Sequence, residues 1–380
     1  MAKFIAIGNN NNIGIYMQSL DGIDWEKVEF FNADRLSSLI QQSPNSGTVN
    51  DPKILNLSLF LTLEIFGQIL SIINQSGKYV NLNLTDCITE TNDWFNTNNI
   101  STGKNRIIEL SFPNTVTKIP NNIQHNGYTN LTKVILNNIT NIGDGVFRNT
   151  ANLNSIDLSK VTDIGGYAFF DYTKLTSVNL SKLVNLGGGA FTGNRQDLRF
   201  VVENNPNFST IQNNRILIKN GDTVVSVPSL SGAITIPNVI YVASHAISPW
   251  VSQLILPDVE TLWTISCYHA LSMNSLEIPK IINILSNSFS NCFNLTSIKM
   301  GRTAPIIGTN ALSNDEGIRD PKTITIRIPN GATGYGTATA RTDVTTKNWA
   351  NGLRGAGWNG TTCLDMSKIK DYLTIQFQYY

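Results

Sequence analysis

Apolar residues return to the same places every 22 residues through the middle of the chain. Leu131, Val134 and Leu136 are matched by Leu153, Ile156 and Leu158, then by Leu175, Val178 and Leu180. Each set runs on through one apolar residue (Ile139, Val161, Leu183), an apolar–glycine pair (Ile142-Gly143, Ile164-Gly165, Leu186-Gly187) and a pair ending in phenylalanine (Val146-Phe147, Ala168-Phe169, Ala190-Phe191). Upstream, Leu110, Phe112, Val116 and Ile119 keep the pattern with one residue inserted. Downstream, Ile234-Thr-Ile236-Pro237, Leu254-Ile-Leu256-Pro257, Leu276-Glu-Ile278-Pro279, Ile298-Lys-Met300 and Ile326-Arg-Ile328-Pro329 mark later copies. Self-similarity at this period predicts stacked coils, each burying its apolar side against its neighbours. Roughly eight to ten coils are expected between about residues 107 and 329, a body some 40 to 50 Å long at about 4.8 Å per parallel strand.

The spacing within one coil predicts its parts. Alternation in Val134-Ile135-Leu136 sends two side chains inward and one outward, as in a half-exposed strand. Ile139 and Ile142, three apart, suit a helical or 3-10 turn on the opposite side. Gly143, Gly165 and Gly187 fall where the backbone needs φ > 0 or a close approach to another coil, and Phe147, Phe169 and Phe191 should form a buried aromatic ladder. The residue between the two core positions of each strand gives an outward stripe: Ser111, Ile135, Asp157, Asn179, Thr235, Ile255, Glu277, Lys299 and Arg327. These nine are the candidate binding residues. Ile135 and Ile255 stand out among them as apolar side chains on a polar face.

The succession Leu-x-x-Val-x-Leu, then Ile-Gly, then Ala-Phe resembles the BspA-like, or Treponema-type, leucine-rich repeat of bacterial surface proteins. Asn291-Cys292-Phe293-Asn294-Leu295 is similar to that family's coil junction, and the stretch from Val202 to Pro228 to a common insertion. The resemblance implies an α/β repeat fold, a right-handed leucine-rich repeat solenoid. It would have a parallel sheet, an irregular or 3-10 convex side, capped ends and a β-hairpin insertion at about 197–233. Asn220-Gly221, between Arg215–Lys219 and Thr223–Val227, is a favoured hairpin turn because both positions tolerate φ > 0. For function the resemblance implies a non-enzymatic adhesin at the cell surface or outside the cell, recognising a protein or glycan through the solenoid sheet.

Residues 36–106 and 330–380 read as caps on the solenoid at 107–329. Residues 54–73 are long and apolar enough to suggest a membrane span. Glu64 and Gln68 near the centre oppose insertion. A strand from Ile54 followed by a helix with Leu59, Leu63, Phe66, Leu70 and Ile73 on one face, stopping at Gly77, accounts for more of the pattern. Tyr335 and Trp349, after the strand at Ile326–Ile328, resemble the family's closing segment. Residues 1–35 carry two alternating runs around the Asn9–Asn12 cluster and predict a hairpin, with an Asp-box-like fragment from Ser19 to Trp25. Met1 to Gly8 is too short and polar-flanked for a secretory signal. A removed leader, export by another route, and action inside a cell or on a virus particle all stay open.

Composition narrows the chemistry. With 28 basic and 27 acidic residues the net charge is +1, so no electrostatic footprint for nucleic acid or anionic membrane appears. The 48 asparagines suit turns through their tolerance of φ > 0, and clusters such as Asn96–Asn99 read as solvated loops. Four cysteines make no disulfide framework. Cys267 and Cys292 read as free buried thiols, since with His269 they lack the ligand number and spacing of a zinc site. His125, His245 and His269 are scattered. No nucleophile elbow or phosphate loop is present, and Asp315-Glu316 reads as a solvated loop. No cofactor, metal or catalytic residue is expected. The alternatives to an adhesin are a structural or interaction subunit without secretion, for example virion-associated, and a glycan hydrolase resting on the Asp-box-like fragment alone.

Overall fold

The computed structural model describes residues 3–7, 15–19, 26–29, 31–89, 95, 102–121, 127–171, 173–194, 197–308, 311–312, 322–335 and 373–380. The Asn9–Asn12 turn, most of the Asp-box-like fragment, Asn96–Asn99, His125, Asp315-Glu316 and Trp349 lie outside these residues. The chain divides into two compact units, residues 1–190 with 194–196, and residues 191–193 with 197–380.

The first unit begins with a three-stranded antiparallel sheet, Lys3–Ile7, Ile15–Ser19 and Glu26–Glu29, one strand more than the predicted hairpin. Helix α1, Ala33–Gln42, follows, and Asn32 caps it by accepting the Arg35 N–H at 2.9 Å. Helix α2, Leu63–Ser76, starts at Thr62, whose hydroxyl accepts the Ile65 N–H at 3.2 Å, and stops at Gly77 with φ +66°. These are the start and stop chemistries that satisfy orphan helix-end groups. The buried face of α2 is Phe66, Ile69, Leu70 and Ile73. Two residues expected on it are placed differently. Leu63 is the first helical residue and is exposed, while Leu59 is buried ahead of the helix.

A parallel sheet of five strands then builds up: Lys53–Asn56, Val80–Asn83, Ile107–Ser111, Lys133–Ile135 and Ser155–Ile156. The opposite side of the coils differs from the sequence expectation. Asn141–Ile142 is not a helical turn. It pairs in parallel with Lys118–Ile119 and Asp163–Ile164, and the latter with Asn185–Leu186, in a second, narrow ladder. A helical turn bonds within its own coil, whereas here the Thr140 and Thr162 N–H groups donate to the Thr117 and Thr140 carbonyls one coil earlier. Each coil is therefore a flattened loop with a strand on both sides.

The glycines settle on close approach rather than φ > 0. A Cβ on Gly143 would stand 2.5 Å from the Asn121 nitrogen, and one on Gly187 only 2.1 Å from the Gly166 nitrogen. Positive φ falls instead two residues before and two after the aromatic position, as at Gly145 and Asn149 around Phe147, or Tyr167 and Asp171 around Phe169. Phe147 and Phe169 stack in consecutive coils, centroids 5.4 Å apart and planes 21° from parallel.

In the second unit Phe191 meets Phe200 edge-on, centroids 5.4 Å apart. The insertion is a three-stranded antiparallel meander, Phe208–Ile211, Ile216–Lys219 and Thr223–Ser226. Asn220 and Gly221, at φ +53° and +81°, form its tight turn, closed by the Asp222 N–H donating to the Lys219 carbonyl at 3.3 Å. The meander is not an appendage, because Thr223–Ser226 pairs in parallel with Tyr241–Val242 and so starts the narrow ladder of this unit. That ladder continues through Thr261–Leu262, Asn283–Ile284 and Ile306–Ile307. The broad sheet is Gly232–Thr235, Val251–Ile255, Ser275–Ile278, Ser297–Met300, Lys322–Ile328 and Leu373–Tyr379, all parallel. Lys322–Ile328 is thus not the last strand: Leu373–Tyr379 pairs with it in full register. Tyr335 anchors the closing segment as expected, buried and donating its hydroxyl to the Gly301 carbonyl at 2.9 Å.

Candidate binding surface

Period-2 alternation on a parallel ladder forces outward residues into rows, because parallel register puts like positions side by side. In the second unit Thr235, Ile255, Glu277, Lys299, Arg327 and Gln378 are register partners in that order. The row beside it, Ala233, Gln253, Ser275, Ser297, Thr325 and Gln376, is small or polar throughout. Lys299 donates to Glu277 at 2.8 Å and lies 5.1 Å above the Tyr380 ring. That hydrogen bond to Glu277 is the main reason the Lys299 amine is held above its ordinary pKa. Arg327 stays exposed and outside this pair. The row therefore offers a guanidinium and a satisfied ion pair on a rigid backbone.

In the first unit Asn56, Asn83, Ser111 and Ile135 are register partners, with the Asn83 amide donating to the Asn56 side chain at 2.9 Å. Ile135 is 38% exposed, and Asp157, just after the strand Ser155–Ile156, and Asn179, ending the strand Ser177–Asn179, are exposed too. Ser111 departs from the expected stripe. It is only 7% exposed, since its short side chain stays below the level of its neighbours Asn83 and Ile135.

Sequence reasoning missed two groupings. The first is a set of asparagine side chains one residue before the repeat leucine. Asn130, Asn152 and Asn294 each donate their amide to a carbonyl one coil earlier, those of Asn105, Thr129 and Leu271, at 2.8, 2.8 and 2.6 Å. Asn130-Leu131, Asn152-Leu153 and Asn294-Leu295 carried that signal in the chain. The second is an aromatic cluster in the second unit, where two of the histidines that look scattered, His245 and His269, meet around one tyrosine. Tyr268 lies between His245 and His269, with ring centroids 5.7 and 4.2 Å away, and His269 is within 2.9 Å of the Asn291 amide. Burial holds the His245 imidazole down at about pKa 4, with His269 adding a smaller push the same way. These contacts join coils. They set no nucleophile against a base.

Cys87, Cys267 and Cys292 are free and buried. Burial pushes the Cys87 thiol up to about 12 and that of Cys267 well above its ordinary value, so neither is a ready nucleophile or metal ligand. The Cys292 thiol donates to the Cys267 carbonyl at 3.0 Å. Among the described residues no group of three or more His, Cys, Asp or Glu is placed to hold a metal, and no helix is long and apolar enough to cross a membrane. The outer face of the second unit's narrow ladder is more apolar than the broad sheet. Trp263, Leu285 and Ile306 are 41%, 40% and 60% exposed, and Tyr241 packs 6.4 Å from Trp263.

The family model for the BspA type leucine rich repeat region matches residues 98–216 and 255–335 in six copies. No curated protein matches the chain. Among solved structures, the pneumococcal vaccine antigen PcpA aligns at 13% identity with a TM-score of 0.47, covering 87% of this chain and 89% of that one. A leucine-rich repeat protein from Bacteroides ovatus ATCC 8483 aligns at 12% identity with a TM-score of 0.28, over 61% and 81% of the two chains.

Proposed function

The chain belongs to the BspA-type leucine-rich repeat family, and on that premise we propose that it is a non-enzymatic binding protein of the cell surface or extracellular space. Its outward rows on the broad sheet would contact a protein or glycan. The observation that carries this reading is the unbroken row from Thr235 to Gln378. Backbone pairing already orders these residues, so an extended partner meets them with little further loss of conformational freedom. Mixed polar groups with one unpaired guanidinium at Arg327 suit hydrogen-bonding partners more than an apolar one.

The test is to probe arrays of purified matrix proteins and glycans with the full chain, then analyse any bound glycan for cleavage. Saturable binding with the ligand chemically unchanged supports the reading. Hydrolysis of the ligand would move the protein to the glycan hydrolases.

The exposed Trp263, Leu285 and Ile306 on the outer face of the narrow ladder favour a second reading, an interaction subunit held in a protein assembly, since exposed apolar residues on one face mark contact surfaces. Its test is sedimentation of the full chain against Trp263→Ser. Concentration-dependent association lost in the variant favours the assembly.

A further inference from the structure

The first unit holds a polar cleft of about 470 Å³ between its two helices. Gln41 of α1, Gln75 of α2, Lys53 and Lys78 bring the polar groups, and Ile40 and Ile72 bring apolar wall. No carboxylate lines it. Lys53 is 7% exposed, yet its ammonium donates only to the Ser43 carbonyl, one acceptor for three N–H donors. Asp51, whose carboxyl the Lys53 charge helps to hold below its ordinary pKa, turns its oxygens to the Asn45 amide and the Ser46 N–H, both at 2.6 Å. Lys78 reaches the Ser46 carbonyl at 3.4 Å.

Part of this positive charge has a structural use. Ser43 and Gly77 are the C-caps of α1 and α2, and each helix end is equivalent to about half a negative charge. Two ends make about −1 and Asp51 acts on Lys53 from outside the lining, so what the cleft itself presents is two ammonium groups with spare N–H donors and no carboxylate in its wall. Lys53 is largely buried with N–H donors that have no acceptor among the described residues, and one anionic group in the cleft would satisfy them. The Gln41 side chain makes no hydrogen bond among the described residues, and that of Gln75 makes one long bond to Ser71, 3.3 Å, so both amides can serve a hydroxylated ligand. The volume falls within the usual range for small-molecule sites.

We propose that this cleft binds an acidic sugar. Lys53 and Lys78 hold its carboxylate, the Gln41 and Gln75 amides meet its hydroxyls, and Ile40 and Ile72 face its ring C–H groups. The cleft uses no residue of the outward rows, so the proposal stands or falls without them.

The test titrates the full chain by calorimetry with glucuronate, an acidic tetrasaccharide containing glucuronate, glucose and acetate. Glucuronate or the tetrasaccharide should saturate one site, with glucose and acetate weaker by roughly tenfold or more. Saturation by the tetrasaccharide alone assigns the site to a residue within a polymer; equal binding of both assigns it to the single sugar. Lys78→Gln, at an exposed position, should weaken binding roughly tenfold, the size of one charge-assisted contact, at unchanged melting temperature. Lys53→Met should weaken it further, and if that variant does not fold, Lys78→Gln decides. No saturation by either acidic ligand, glucose or acetate binding as tightly as glucuronate, or wild-type affinity in every variant that folds would overturn the proposal.

Discussion

Ile265 sits at φ +56°, where the Cβ of an L-residue crowds the following carbonyl and a β-branched side chain fares worst. The same place two residues before the aromatic position holds Gly145, Gly189 and Asn287 in other coils, all at positive φ. Ile265→Asn should therefore stabilise the protein by about 1 kcal/mol, seen as a higher melting temperature; an unchanged or lower one would mean that Ile265 packing offsets the strain. His245 makes a pH prediction. Its folded pKa, about 4, lies below the ordinary 6.5 because burial disfavours the imidazolium. The unfolded chain thus binds a proton that the folded one refuses between those values, so stability is full above about pH 6.5 and falls as pH drops toward 4. Thermal melts across that window should show the slope, and His245→Asn, which keeps a side chain tolerant of φ +55°, should flatten it. A slope that persists in the variant assigns the acid sensitivity elsewhere. None of this was visible in the chain, where Ile265 looks like a core isoleucine and His245 and His269 stand apart. Their meeting depends on two coils being stacked.

At the scale of elements, the broad strands were legible because a two-residue period states which side chains point inward whatever the neighbours do. The narrow ladder was not. Its strands are two residues long, and what makes Asn141–Ile142 or Asp163–Ile164 extended is a carbonyl one coil away, a partner that spacing within a coil cannot reveal. The asparagines one residue before the repeat leucine were read for turn tolerance when three of them bridge coils. The glycine positions were read correctly as special, and the structure selects close packing as the cause. Gly187→Ala tests it: the new Cβ would fall 2.1 Å from the backbone nitrogen of Gly166, where no flexible side chain can yield. Such overpacking costs about 1 to 3 kcal/mol. Denaturant unfolding should show a loss of that size, and a loss under about 0.5 kcal/mol, the range of a neutral surface change, would mean the coils can separate there freely.

For the whole molecule, repeat architecture predicts that the ends carry disproportionate weight, because a terminal coil has one apolar face without a neighbour. In the second unit the strand Leu373–Tyr379 covers the edge of Lys322–Ile328, and Tyr335 is tied to Gly301 and Thr303 by its hydroxyl. Deleting residues 330–380 should bare that edge and cause aggregation or a marked fall in melting temperature; a truncated chain that stays soluble and equally stable would make this segment an appendage. The solenoid and its period were readable from the repeat itself. The ligand was not, since a repeat specifies how a surface is presented and leaves its side chains free to vary. The proposed function requires the broad-sheet rows to be the contact surface. The most direct measurement compares the affinity of the full chain for its array-identified ligand with that of the triple variant Glu277→Gln, Lys299→Gln and Arg327→Gln, with circular dichroism and melting temperature as the check on folding. Contact through these rows means at least a tenfold loss of affinity, equivalent to about 1.4 kcal/mol, in a folded variant. Unchanged affinity in a folded variant would contradict it.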